Sequence, residues 1–320
     1  MLFNAVSAGL MLLTAAHCAA AEPYPVRPLR FILPFPAGGA TDTIGRSIAQ
    51  KLGESMGQNV LVDNRPGAGG NLGVELAAKA AADGYTLLLC SPTCAISPSL
   101  YRRLNYDPLR DLAPVSLVAT IPTLLIVNAA VPAKSLKELL DLARARPGRL
   151  NYGSGGVGSS NHLAMELMKS LARIDIVHVA YKGTGQALAS LAAGEIQMVA
   201  ISPPAALPLL PTGKVRALAV MRERRIATLP EVPTAAEAGL PGLTVNTWYG
   251  MLTPAGVPAP LITLLNQRVN AALKSAEVRD RLAGAGVETV GTSPQQFGEF
   301  MKSEIQRLGR IVREAGIRAE

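Results

Sequence analysis

The amino-acid sequence predicts an α/β protein of two lobes, with a parallel-rich sheet in each lobe and a hinge of two strands between them. Three observations carry that reading. Short apolar runs alternate with amphipathic helical stretches, the pattern of parallel sheets covered on both faces. A strand, a glycine-rich turn and a helix start follow one another twice, over residues 31–52 and again over 150–171. Two strand-like runs, at 123–127 and 244–252, are placed to cross between the halves, which makes a clamshell able to close over a ligand. A length of 320 residues suits two lobes better than one. The division falls at 22–124 plus 246–320 for lobe 1 and 125–245 for lobe 2.

Residues 1–21 stand apart. An apolar run at 5–16 is too short to span a bilayer permanently, and Ala19-Ala20-Ala21 follows it as a small-residue cleavage site. This reads as a secretory signal peptide, although no Lys or Arg precedes the run. Lobe 1 opens with a strand at 29–33, breaks at Pro34, and turns through Pro36-Ala37-Gly38-Gly39. The helix that follows, at 41–56, places Ile44, Ile48 and Leu52 on one face. A strand at 59–63, a glycine turn at 64–70, a helix at 71–82 and an apolar strand at 86–90 come next. Residues 91–98 read as a polar loop and 101–114 as irregular.

Beyond the first crossing, Ser135 caps a helix. Lobe 2 then repeats the logic of lobe 1. A strand ends at Asn151-Tyr152-Gly153, a glycine loop occupies 154–158, and Ser159 or Ser160 caps a helix. A strand at 176–179, a helix at 186–193 and a strand at 196–201 follow, and Ser202-Pro203-Pro204 opens a short helix. After a strand at 215–221, a turn-rich connector at 230–241 holds a short helix at 234–238. A long helix follows 254–260, and Ser293-Pro294 start the last one.

Composition excludes several function classes. Hydrophobic residues make up 49% and charged ones 17% of the chain, which rules out a disordered polyelectrolyte. An aromatic share of 4% argues against sugar-stacking clefts and single-strand nucleic-acid platforms. The net charge of +8 is scattered rather than clustered, so no nucleic-acid partner is expected and an anionic ligand fits. Cys90 and Cys94 either pair in an oxidising compartment or stand as two small buried thiols. With His162 and His178 they lack metal-ligand spacing, so neither metal nor cofactor is expected.

The glycine turns carry the chemistry. A strand, a glycine turn and a helix N-terminus present free backbone N–H groups and the positive end of a helix dipole to an anion. Gly153-Ser-Gly155-Gly-Val-Gly158 formally matches a dinucleotide fingerprint, but no acid ends the next strand at His178-Val179-Ala180. His162 lies near Ser154, Ser159 and Ser160, which allows a secreted hydrolase using Ser159 or Ser160 with His162. A nucleophile elbow is absent because Tyr152, not Gly, precedes Ser154 by two. The favoured role for His162 is a first-turn residue that lines or supports the cleft. For Asp42, capping is favoured over ligand contact. His178 reads as a buried, satisfied histidine and Trp248 as hinge packing. Lys182 is either solvated or a counter-charge at the cleft.

Several phrases, taken in order along the mature chain, resemble one family. They include Pro34-Phe-Pro-Ala-Gly-Gly-Ala-Thr-Asp42, Asn64-Arg-Pro-Gly-Ala-Gly-Gly70, Asp83-Gly-Tyr-Thr-Leu-Leu-Leu89 and His162-Leu163. His178-Val-Ala-Tyr-Lys-Gly183, Leu229-Pro-Glu-Val-Pro-Thr234 and Glu237-Ala-Gly-Leu-Pro241 continue the match. The chain is similar here to the Bug-type periplasmic solute-binding proteins, the receptors of tripartite tricarboxylate transporters. The resemblance implies a type II-like Venus-flytrap fold and a carboxylate held by backbone amides and waters. It places Pro36, Ala37, Gly38, Gly39 and Asp42 on one wall. Ser154, Gly155, Gly156, Ser159, Ser160 and His162 fall on the other, flanked by Tyr181 and Lys182. Ser91, Thr93 and Ser202 complete the candidate site.

At Ala200-Ile201-Ser202 the chain departs from the family pattern of an aromatic followed by polar residues. That departure implies a ligand with an apolar or aromatic body rather than a tricarboxylate or amino acid. The implied function is periplasmic capture of a small carboxylate by a monomer that delivers it to membrane permease subunits, without catalysis. A sensory receptor docking on a kinase ectodomain is the further alternative.

Overall fold

The computed structural model describes residues 24–181, 183–314 and 316–317. The expected signal peptide and Lys182 therefore lie outside the described residues. Lobe 1 begins with β1 (Leu29–Leu33), α1 (Ala40–Met56), β2 (Val60–Asn64), α2 (Asn71–Ala78), β3 (Thr86–Cys90), α3 (Pro92–Leu100) and β4 (Leu112–Pro122). The chain crosses into β5 (Leu124–Asn128) and continues through α4 (Leu136–Ala145), β6 (Asn151–Ser154), α5 (Ser160–Ala172) and β7 (Val177–Ala180). It then forms α6 (Thr184–Ala193), β8 (Met198–Ile201), α7 (Pro203–Ala206) and β9 (Val215–Val220). The return runs through β10 (Asn246–Pro254), α8 (Ala259–Lys274), α9 (Ala276–Gly284), β11 (Glu288–Thr289) and α10 (Pro294–Glu314).

Two mixed sheets result, ordered β11-β4-β10-β3-β1-β2 and β7-β6-β8-β5-β9. Parallel pairing is confined to one triplet in each, β2-β1-β3 and β7-β6-β8. In both triplets the first strand is central, and its following helix leads to the edge strand. The two glycine turns therefore occupy the same place in two copies of one motif, at the carboxyl end of a central strand. The strands that carry the chain between lobes pair antiparallel to their neighbours.

Burial explains the local choices. β1 is nearly all core, and Ile44, Ile48 and Leu52 press one face of α1 onto its sheet. Gly57 ends α1 in the left-handed conformation that a side chain resists. In the hinge, Pro122 of β4 faces Asn246 of β10, and Thr123 alone separates β4 from β5. The Met221 amide donates to Thr123 O, and the Val245 amide donates to Met221 O, both at 2.8 Å, which ties the two crossings together. Trp248 turns away from the cleft toward α10, where its Nε1 donates to buried Glu304 at 2.9 Å and its ring meets Phe297 and Phe300 edge-on. At Gly250 an added Cβ would lie 1.9 Å from the Phe297 ring, so this close approach of strand to helix requires glycine.

Three expectations give way to the structure. Residues 91–98 are the start of a helix, because Ser91 is its extended N-cap and Pro92 sits at its first position. Residues 234–238 form turns rather than a helix, with Thr234 bridged to Val220. The stretch between α8 and α10 contains α9 and a two-residue strand that sequence periodicity did not resolve.

Candidate ligand-binding site

The first wall is the turn after β1. Gly38 adopts φ +90°, and its amide donates to Asp42 Oδ2 at 3.1 Å. Arg46 Nε reaches both oxygens of the same carboxylate at 3.0 Å. Asn64 Nδ2 donates both to Asp42 Oδ1 at 3.1 Å and to Phe35 O at 3.0 Å. The Arg46 hydrogen bond, joined by Gly38 and Asn64, holds the Asp42 carboxyl below its usual pKa against the opposing effect of burial. Asp42 thus braces the turn from behind.

The second wall is the turn after β6. Ser159 caps α5 with its side chain accepting from the His162 amide, and its hydroxyl donates to Gly156 O at 2.7 Å. The Gly158 amide donates to His162 Nδ1 at 3.1 Å. Ser154 is fully buried; its Oγ accepts from the Gly156 amide at 3.1 Å and pairs with His178 Nε2 at 2.7 Å. Behind these groups the rings of His162 and His178 stack at 3.9 Å, and Tyr152 stacks on His178 at 4.9 Å. Tyr152 donates its hydroxyl to Glu166, which also accepts from Lys169 Nζ at 2.9 Å. Burial, reinforced by Glu166, raises the Tyr152 pKa well above the ordinary phenol, so Tyr152 stays a donor.

Between the walls lies a cavity of about 600 Å³. Lobe 1 contributes Pro36, Ala37, Gly39 and Thr41 from the start of α1, and Ser91 and Thr93 from the start of α3. Lobe 2 contributes Ser159 and Ser160 from α5, and Gly183 and Thr184 from α6. Thr247 and Tyr249 of β10 form the floor, the alternation of the strand setting them opposite Trp248. Phe35, Pro92 and Ile96 supply its apolar surface. Tyr249 is buried, and burial pushes its phenol up to about 12 against an opposing effect of Thr41.

Four helix N-termini, of α1, α3, α5 and α6, thus converge on one space. Helix geometry leaves the first-turn amides, such as those of Ala40, Thr41, Ser160 and Asn161, without a partner in their own helix. Among the described residues lining the cavity, none carries a charge. Such a site stabilises an anion by oriented dipoles, each N-terminus contributing about 0.3–1 kcal/mol and up to ~2 when partly buried. Beside Ser91 and Thr93, a Cys90–Cys94 disulfide closes a ring around this wall, with both cysteines buried. Among the described residues no group of three or more His, Cys, Asp or Glu side chains is arranged to hold a metal.

The structure brings together Pro36, Ala37, Gly39, Ser91, Thr93, Ser159 and Ser160 on the cavity surface. Gly38, Asp42, Ser154 and His162 stand behind them as bracing. Gly155 packs against Thr184, where a Cβ would lie 2.8 Å from its hydroxyl oxygen, and Gly156 lies against the backbone of Tyr181. Tyr181 packs on the aliphatic cluster of lobe 2, and Ser202 heads α7 outside the cavity lining. Sequence reasoning missed Thr41, Gly183, Thr184, Thr247 and Tyr249. The alternation around Trp248 was a readable signal for the last two.

A sequence profile for the tripartite tricarboxylate transporter family receptor matches residues 44–317. Protein BugT of Bordetella pertussis is 39% identical over 312 residues, covering 96% of each chain. Among solved structures, Rpa4515 of R. palustris, solved with adipate, is 38% identical with a TM-score of 0.82, covering 92% of this chain and 100% of that one. MatC of Rhodopseudomonas palustris, solved with bound malate, is 34% identical with a TM-score of 0.78, covering 90% and 100%.

Proposed function

The chain belongs to the tripartite tricarboxylate transporter receptor family, and we propose that it captures a small carboxylate in the periplasm and delivers it to the membrane permease of such a transporter. The observation that carries this reading is the convergence of four helix N-termini on a cavity without charged side chains among its described lining. A carboxylate satisfies such a site, whereas a cation meets only positive dipole ends there. Bridging waters complete the hydrogen bonding of its oxygens. Lobe 1 (22–124 plus 246–320) and lobe 2 (125–245) close on the ligand about the paired crossings at Thr123 and Val245. No helix among the described residues is long and apolar enough to cross a membrane.

The ligand's body is apolar. Phe35, Pro92 and Ile96 line the cavity, whereas the departure at Ile201 and Ser202 lies outside its lining and does not bear on the ligand. Adipate, the ligand of the relative Rpa4515, joins carboxylates through a methylene chain and is of this kind. A hydrolase is disfavoured by the same geometry: Ser159 Oγ is engaged with Gly156 O and the His162 amide, and His162 Nδ1 is engaged with Gly158.

Mass spectrometry of small molecules released by denaturing the purified protein tests the reading. A carboxylic acid with an apolar body is expected, and a cationic or uncharged compound contradicts it. Calorimetry in which citrate or aspartate bound tightly, and aliphatic or aromatic acids did not, would overturn the proposed ligand body.

A further inference from the structure

Behind the second glycine turn lies a cluster absent from the cavity lining: buried Tyr152, His162 and Glu166, with half-buried Lys169 and His178. His162 is 5% exposed and stands in the first turn of α5. Its Nδ1 accepts from the Gly158 amide at 3.1 Å, which requires that nitrogen to be unprotonated and places the ring's proton on Nε2. Nε2 faces Glu166 Oε1 at 4.0 Å, and Glu166 is in turn held by Tyr152 and Lys169. Gly158 sits at φ +75° immediately before Ser159, so its amide is the backbone group through which the turn can be tied to the helix. The first lobe contains the same device: the Gly38 amide, also immediately before its helix's N-cap, is caught by Asp42 four residues on. Both resemble a capping box reaching one residue further back.

We propose that His162 is a positioning residue for the ligand site, its neutral imidazole holding the Gly158 amide and so fixing the turn that carries Ser159 and Ser160 on the cavity wall. Its bearing on affinity rests on the carboxylate-receptor reading above; the hold on Gly158 does not. A protonated ring has no lone pair at Nδ1, so acid releases the turn. The groups facing the ring set when this happens. Burial lowers the His162 pKa most, and His178 and Lys169 lower it further against the opposing pull of Glu166, to about 4. The neutral form therefore prevails through the ordinary pH range.

The test is hydrogen exchange at the Gly158 amide, followed by NMR on the ligand-free protein as wild type, His162→Ala and His162→Asn. Asparagine keeps an acceptor oxygen near the position of Nδ1 but does not titrate. The protection factor is expected to fall about tenfold or more in His162→Ala, and to return to within about threefold of wild type in His162→Asn. It should fall in wild type as the pH approaches 4 and stay level in His162→Asn. Protection unchanged in His162→Ala, or not restored in His162→Asn, overturns the proposal. Should His162→Ala fail to fold, the pH series of wild type against His162→Asn decides alone.

Adipate affinity is measured on the same proteins. It is expected to weaken about tenfold in His162→Ala and to recover in His162→Asn. The acid's own protonation is common to all variants and divides out. Affinity that stays level while protection falls overturns the link from turn to site. A wild type that ignores adipate, while Gly158 follows the series, counts against the ligand reading and supports the hold.

Discussion

The two glycine turns solve one problem with opposite chemistry. Each follows the central strand of a parallel triplet, and each is gripped from behind by the third residue of the helix it opens. In lobe 1 that residue is Asp42, a charged brace beside the proposed anion site; Arg46 offsets its charge and Asn64 shares its oxygens. In lobe 2 it is His162, a neutral brace that needs no counter-charge and is sealed in a stack of rings. The Asp42 carboxylate is paired, tied down and absent from the cavity lining, which is how the proposed anion site would tolerate it. The turns also differ in room. Gly158 faces Leu100 at 2.5 Å from the position of a Cβ, whereas nothing lies within 4 Å at Gly38.

The largest test of this contrast is Gly158→Ala against Gly38→Ala. Both positions have positive φ, which costs an L-residue about 1–2 kcal/mol. Only Gly158→Ala adds a clash, against the tip of the Leu100 side chain, so it is expected to cost more, about 2–3 kcal/mol by denaturant unfolding, with weakened adipate binding. Equal effects at the two sites would break the comparison. Next comes Asp42→Asn, which removes the charge-assisted bonds and sets an amide against Asn64; a loss of about 1–3 kcal/mol is expected in the same assay.

The pH dependence of stability separates the braces further. The His162 pKa is depressed from 6.5 to about 4 on folding, so its contribution is full above 6.5 and lost as pH falls toward 4. Asp42 is lowered from 3.8, so its contribution is present above that value and lost only as pH falls below it. In thermal melts, His162→Asn should flatten the upper window and Asp42→Asn the lower. The smallest effect belongs to Arg46→Ala. Its side chain is 48% exposed, and a loss below about 1 kcal/mol is expected.

Much of this architecture was legible before the fold was known, because its signals are local. β1, β3 and the start of α10 follow from apolar runs and from Ser293-Pro294. Asp42, His162 and His178 each hold a hydrogen bond within their own lobe, although His178, expected to be buried, is only half-buried. What stayed hidden depends on distance in sequence. No local pattern says that the starts of α1 and α3 face the starts of α5 and α6 across a cleft. Ser91-Pro92 was itself a helix-start signal, masked by Pro98 inside the same helix. The floor residues Thr247 and Tyr249 become part of the site only when β10 crosses back between lobes.

The central claim, that backbone amides at helix starts hold the carboxylate, is tested most directly by an adipate titration followed at those amides by NMR. Saturable downfield shifts are expected for the first-turn amides of Ala40, Thr41, Ser160 and Asn161. Saturable binding that leaves all four unmoved would contradict it.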